Sequence, residues 1–214
     1  SVRRSLGIGP EARVVGAVAR LAEQKRLDQL LRAVSRLPGD VHCIRSGAGE
    51  LRESLGALAR ELNIPARVHF LGHREDVGDI LAALDLYVVS SDREGMSNAM
   101  LEALAAGLPV VSTPVSGAEE ALGPFPDGSA PGTIVGFDVD SLARAITELF
   151  ANRERLAAMA EAEKRRAREF GFERMLDAWE RVLVPLPSQR ARAGARTTRS
   201  APGDRGRVTA TERR

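Results

Sequence analysis

Two carboxylates and two cations carry the types and spacing that could do chemistry. Glu94 stands in a polar loop after an apolar run, Leu84-Asp85-Leu86-Tyr87-Val88-Val89, and Glu102 follows eight residues on. The intervening residues read as a helix from about Ser97 to Ala106, stopped by Gly107 and Pro109. At about 1.5 Å of rise per residue, Glu102 falls roughly a turn and a half inside the helix that Glu94 precedes. The free backbone N–H groups of Gly95, Met96, Ser97 and Asn98 can point at an anion. A carboxylate on each side of an anion-binding helix start suits a polyol that carries a phosphate. Arg20 and Lys25 lie upstream, in a loop after another apolar run, Arg13–Ala19. Taken alone, both cations read rather as solvated surface residues.

The run from Glu94 to Val111 reads EGMSNAMLEALAAGLPVV. It resembles the donor-binding signature of the retaining glycosyltransferases of family 4, the group 1 type with the GT-B fold. In that pattern two Glu lie eight apart and precede an Ala-rich helix, a Gly and a Pro-Val-Val strand. Gly95, Gly107 and Pro109 stand where the pattern needs them. The resemblance covers about 13–183 and corresponds to the C-terminal, donor-binding half of such an enzyme. It implies that Arg20 and Lys25 hold the diphosphate of a nucleotide sugar. Ala19 and Arg26 replace glycines usual beside them. It implies that Glu94 meets the transferred sugar and Glu102 the ribose. Gly47, in Gly47-Ala48-Gly49, is implied to approach the nucleotide, and Gly72, His73 and Arg74 its base; a plain tight turn explains the Gly-x-Gly equally well.

Around these residues apolar runs alternate with helical patterns, which predicts an α/β fold. The expected architecture is a doubly wound, mostly parallel Rossmann-like sheet with helices on both faces, C-terminal helices and a disordered tail. Residues 1–12 read as a linker, 13–184 as the nucleotide-sugar-binding domain and 185–214 as a disordered Arg-rich tail. Phe172, Met175, Leu176, Trp179, Val182 and Leu183 recur at helical spacing in a last helix.

Composition narrows the partners. The net charge is +2, but the tail holds eight Arg against Asp204 and Glu212, which leaves the body at −4. The basic balance therefore belongs to a tail with no aromatic residue, and no nucleic-acid partner is expected. No run approaches the roughly 20 apolar residues of a membrane span, which leaves surface association with a membrane open. Cys43 is the single cysteine. It reads as a buried inert thiol in a reduced, cytoplasmic setting. No metal site is expected: the three His and one Cys are scattered, and in Asp138-Val139-Asp140 the second Asp reads as a helix N-cap.

The resulting expectation is a glycosyltransferase domain that binds a nucleotide diphosphate sugar and no other cofactor. It would transfer the sugar with retention and without a metal, to an acceptor bound by an absent N-terminal half. Two alternatives stand beside it: a non-catalytic nucleotide-sugar-binding fragment or half-enzyme, and a sugar-nucleotide 2-epimerase-like enzyme.

Overall fold

Strands buried on both faces have no polar side to show, and the six strands of this chain are nearly all apolar runs. In the computed structural model, which describes residues 1–171 and 174, they form a single sheet. The strands are β1 (Arg13–Val18), β2 (Val41–Ser46), β3 (Val68–Gly72), β4 (Leu86–Val89), β5 (Val110–Ser112) and β6 (Gly132–Ile134). Their order is β3-β2-β1-β4-β5-β6, and every pairing is parallel. Val15 faces Cys43 on one side and Leu86 on the other, and Tyr87 faces Val110.

Parallel neighbours need a crossover, and helices supply it. They are α1 (Val2–Ser5), α2 (Leu27–Ser35), α3 (Arg52–Glu61), α4 (Val77–Leu81), α5 (Asn98–Ala105), α6 (Ala118–Leu122), α7 (Val139–Ala151) and α8 (Arg153–Ala167). One core joins α2, α3 and α7 to Val15, Val41, Cys43, Leu86 and Val88. The other joins α4, α5 and α6 to Val14, Ile44, Tyr87, Val89 and Val110. The sheet is thus doubly wound, as expected. Strand order reverses between β1 and β4, so their C-terminal ends flank the crevice where open α/β sheets bind ligands.

Two expectations change. Residues 1–12 are not a free linker. Ile8 is buried in the second core. Arg3 bonds the Ala83 carbonyl at 2.8 Å and pairs with Asp85 at 2.8 Å. Asp138, not Asp140, caps α7: its carboxylate accepts from the Ser141 amide and hydroxyl, each at 2.7 Å. Asp140 pairs instead with Arg36, just after α2, a tertiary contact that local spacing does not encode. The stop at Gly107 is as expected. Its φ of +68° is the left-handed turn of a Schellman motif, with Gly107 N–H donating to Leu104 and Leu108 N–H to Ala103. The expected last helix and the tail lie outside the described residues.

Candidate functional site

A cavity of about 250 Å³ opens at the C-terminal ends of β1 and β4. Ala17, Val18 and Ala19 line it from the first strand, Tyr87 to Ser91 from the fourth, and Met96 to Ala99 from the start of α5. Lys25 and Glu94 both line it and meet each other there. Lys25 Nζ lies 2.5 Å from Glu94 Oε1, with side chains only 17% and 12% exposed.

Local chemistry explains how each side chain gets there. Arg26 takes the left-handed conformation, φ +43°, which ends the 3-10 turn Glu23–Lys25 and starts α2. The resembled pattern has a glycine at this position. Arg26 holds the strained backbone with help from Asp92, 3.0 Å from its guanidinium. The Asp92 amide donates to the Gln24 carbonyl at 2.9 Å, and the Ser90 hydroxyl to the Lys25 carbonyl at 2.8 Å. These bonds tie the Lys25 loop to the end of β4. Ser91, 2% exposed, donates to Glu94 Oε1 at 2.6 Å. Ser97 caps α5 by accepting from the Met100 amide. The amides of Asn98 and Ala99 stay free at the helix start, beside the cavity.

The floor is Tyr87. Its hydroxyl accepts from the Val18 amide at 3.2 Å and donates to the Val18 carbonyl at 3.1 Å. Burial pushes its pKa up to about 12, so it stays a neutral phenol. Next to β1 lies a second unusual group. Arg45 is 1% exposed, and none of its three guanidinium nitrogens has a hydrogen-bond partner among the described residues. Burial lowers its pKa, yet an arginine retains its charge.

Of the residues expected at the site, the structure brings together Lys25, Glu94, Met96, Ser97 and Asn98. Gly95 adjoins them in the chain and is exposed, as is Arg20, which follows the lining residue Ala19. Glu102 is exposed on α5, outside the lining. Gly47 lies outside it too, and a packing demand explains this glycine. At φ +130° a Cβ would sit 2.0 Å from the Ala19 carbonyl oxygen. Gly47 thus lets the loop after β2 pack against the loop after β1, rather than leaving room for a ligand. Its amide donates to Gly72 at 2.7 Å. His73 and Arg74 are exposed beyond that turn, and Arg74 is held by both oxygens of Asp76, at 2.7 and 2.5 Å. Sequence reasoning missed Ser90, Ser91 and Tyr87. Two consecutive hydroxyls closing an apolar strand were the available signal. Among the described residues no group of three or more His, Cys, Asp or Glu is placed to hold a metal ion. Cys43 is free and buried, and burial raises its pKa to about 11, as an inert thiol requires.

The lipopolysaccharide core biosynthesis glycosyltransferase LpsE of Rhizobium meliloti is 35% identical over 187 residues, 86% of this chain and 54% of that protein. The D-inositol 3-phosphate glycosyltransferase of Mycobacterium marinum is 36% identical over 184 residues, 82% of this chain and 39% of that one. This chain therefore spans about half or less of the length of these relatives. The crystal structure of Anabaena Alr3699/HepE in complex with UDP superposes with a TM-score of 0.79 at 25% identity, covering 86% of this chain and 52% of that one. HepE has also been solved with UDP-glucose. The family model for glycosyl transferases group 1 matches residues 1–166. The sheet order, the crevice at the strand reversal and this match give one conclusion: the chain belongs to the glycosyl transferases group 1 family.

Proposed function

We propose that this chain is the donor-binding, C-terminal half of a retaining glycosyltransferase that uses a nucleotide diphosphate sugar. The observation that carries the reading is the Lys25–Glu94 pair, set in the crevice where β1 and β4 diverge. The barrier to transfer lies in breaking the bond between the anomeric carbon and the diphosphate. Negative charge grows on the leaving oxygen, so fixed cations and helix-start amides near it lower that barrier. Lys25, Arg20 and the amides at the start of α5 supply these, and the step needs no metal. Positive character grows at the anomeric carbon. The Glu94 carboxylate steadies it and accepts from the hydroxyls of the transferred sugar. Met96, Ser97 and Asn98 form the wall against which the donor lies, with Gly95 beside them. Glu102 reaches the ribose from the next turns of α5. Gly47 and Gly72 shape the neighbouring loops, and His73 and Arg74 offer base-edge contacts. The acceptor is bound by a separate N-terminal half, in the cytoplasm.

Binding of UDP to HepE supports a uridine donor, and its complex with UDP-glucose supports a hexose. A second reading follows from length. Because the chain spans half of its relatives, it can hold a nucleotide sugar without turning it over. Calorimetry with UDP, GDP and ADP and their sugars tests the site. One nucleotide should bind, and Lys25→Ala should weaken the diphosphate by roughly tenfold or more, the worth of a charge-assisted contact. Absence of binding to every nucleotide refutes the assignment. Product formation on addition of an acceptor half separates enzyme from binding module.

A further inference from the structure

Glu94 is held at one oxygen only. Lys25 and Ser91 both donate to Oε1, at 2.5 and 2.6 Å, while Oε2 accepts no hydrogen bond among the described residues. The free oxygen is the one available to a ligand in the cavity. Ser91 is itself fixed: it is 2% exposed, and its carbonyl accepts from the Thr113 hydroxyl at 2.6 Å. The Thr113 amide in turn bonds the Val89 carbonyl at 2.9 Å, which anchors this chain of bonds in the sheet.

Under the proposed function, Lys25 has two claims on its ammonium group. In this structure it neutralises Glu94. When a diphosphate enters, the stronger negative charge draws Lys25 away. Glu94, 12% exposed, then loses its counter-charge in a place that solvates it poorly. Without a second donor the carboxylate would follow Lys25 or turn out to water. We infer that Ser91 is a positioning residue: its hydroxyl keeps Glu94 Oε1 clamped, and Oε2 aimed at the sugar, while Lys25 passes from the carboxylate to the diphosphate. This role rests on the proposed donor site, and no covalent step is attached to it.

The distinguishing quantity is the gain in affinity that a sugar adds to its nucleotide. Calorimetry on the full chain with UDP and UDP-glucose, and with the GDP and ADP pairs beside them, measures it. In Ser91→Ala the sugar's contribution should fall roughly tenfold, as for loss of a hydrogen bond to a charged group, while the bare nucleotide keeps its affinity. Ser91→Thr, which restores the hydroxyl, should recover most of the loss. Should Ser91→Ala fail to fold by circular dichroism, Ser91→Cys, with its weak donor, must show the same split. An equal loss for nucleotide and nucleotide sugar makes Ser91 merely structural and overturns the inference. So does a sugar contribution unchanged by either substitution, with the donor site intact. A wild-type chain that binds no nucleotide overturns the donor site itself, and this role with it.

Discussion

Glu163 should make the protein less stable as pH rises from acid to neutral. It sits on α8 with no exposed surface, and neither carboxylate oxygen has a hydrogen-bond partner among the described residues. Burial pushes its pKa from the ordinary 4.5 up to about 9; the nearby Val110 main chain, outside hydrogen-bond geometry, opposes the shift without cancelling it. The folded state therefore keeps a proton that the unfolded chain gives up. Below pH 4.5 both states are protonated and nothing is lost. From there to about pH 9, each pH unit removes about 1.4 kcal/mol of stability. At pH 7 the loss has reached about 3 kcal/mol, a large share of the 5–15 kcal/mol typical of a domain. Glu163→Gln keeps the size and polarity and abolishes the titration. Urea denaturation of both proteins between pH 4.5 and 8 is the assay. The wild-type midpoint should fall relative to the variant by about 1–2 M urea between pH 4.5 and 7, at an ordinary m-value. Parallel profiles would show that the carboxylate is hydrated or paired, and the reasoning from burial would be refuted.

Other expectations are briefer. Arg26→Gly should be more stable than Arg26→Ala by about 1 kcal/mol in thermal melts, because both lose the Asp92 contact and only glycine adopts φ +43° without cost. Gly47→Ala should unfold or distort the loops flanking the cavity and abolish nucleotide binding, since the new methyl would lie 2.0 Å from a carbonyl oxygen; Gly39→Ala, with open space around it, is the control. Arg45→Met should raise the melting temperature, because a buried guanidinium without partners among the described residues is replaced by an apolar chain of similar length. His42 and His69 share a hydrogen bond at 3.0 Å, and burial lowers the pKa of each. Stability should therefore fall as pH drops below 6.5 toward their lowered values, and His42→Gln should flatten that limb in acid denaturation.

The fold was legible because its signals were local and repeated. Apolar runs bounded by Gly and Pro marked the strands, and the Gly107-Leu108-Pro109 stop marked the end of α5. Glu94 and Lys25 were legible as neighbours because the Glu-x7-Glu helix and the upstream cations fall in loops at the same sheet edge. What escaped was tertiary. Glu102 lies outside the cavity lining although its spacing from Glu94 suggested a shared frame. Arg3 and Ile8 look like linker residues until Asp85 and the second core supply their partners. Ser91 was invisible because a hydroxyl in a loop has many roles, and only distance to Glu94 selects one. The bond between Lys25 and Glu94 spans 69 positions of sequence, which no local pattern records.

The loops after β1, β2 and β3 are sewn together by main-chain bonds: Ala19 to Ser46, Leu21 to Ala48, Gly47 to Gly72. Most side chains take no part in that seam, and Arg20, Ala48 and His73 are exposed along it. One bank of the crevice is thus written in backbone. Its outward residues are free to drift over evolutionary time without loosening the scaffold. The cluster of Ser91, Glu94 and Lys25, which joins the loop after β1 to the loop after β4 through side chains, has no such latitude: a change at one position disturbs the bonds of the other two.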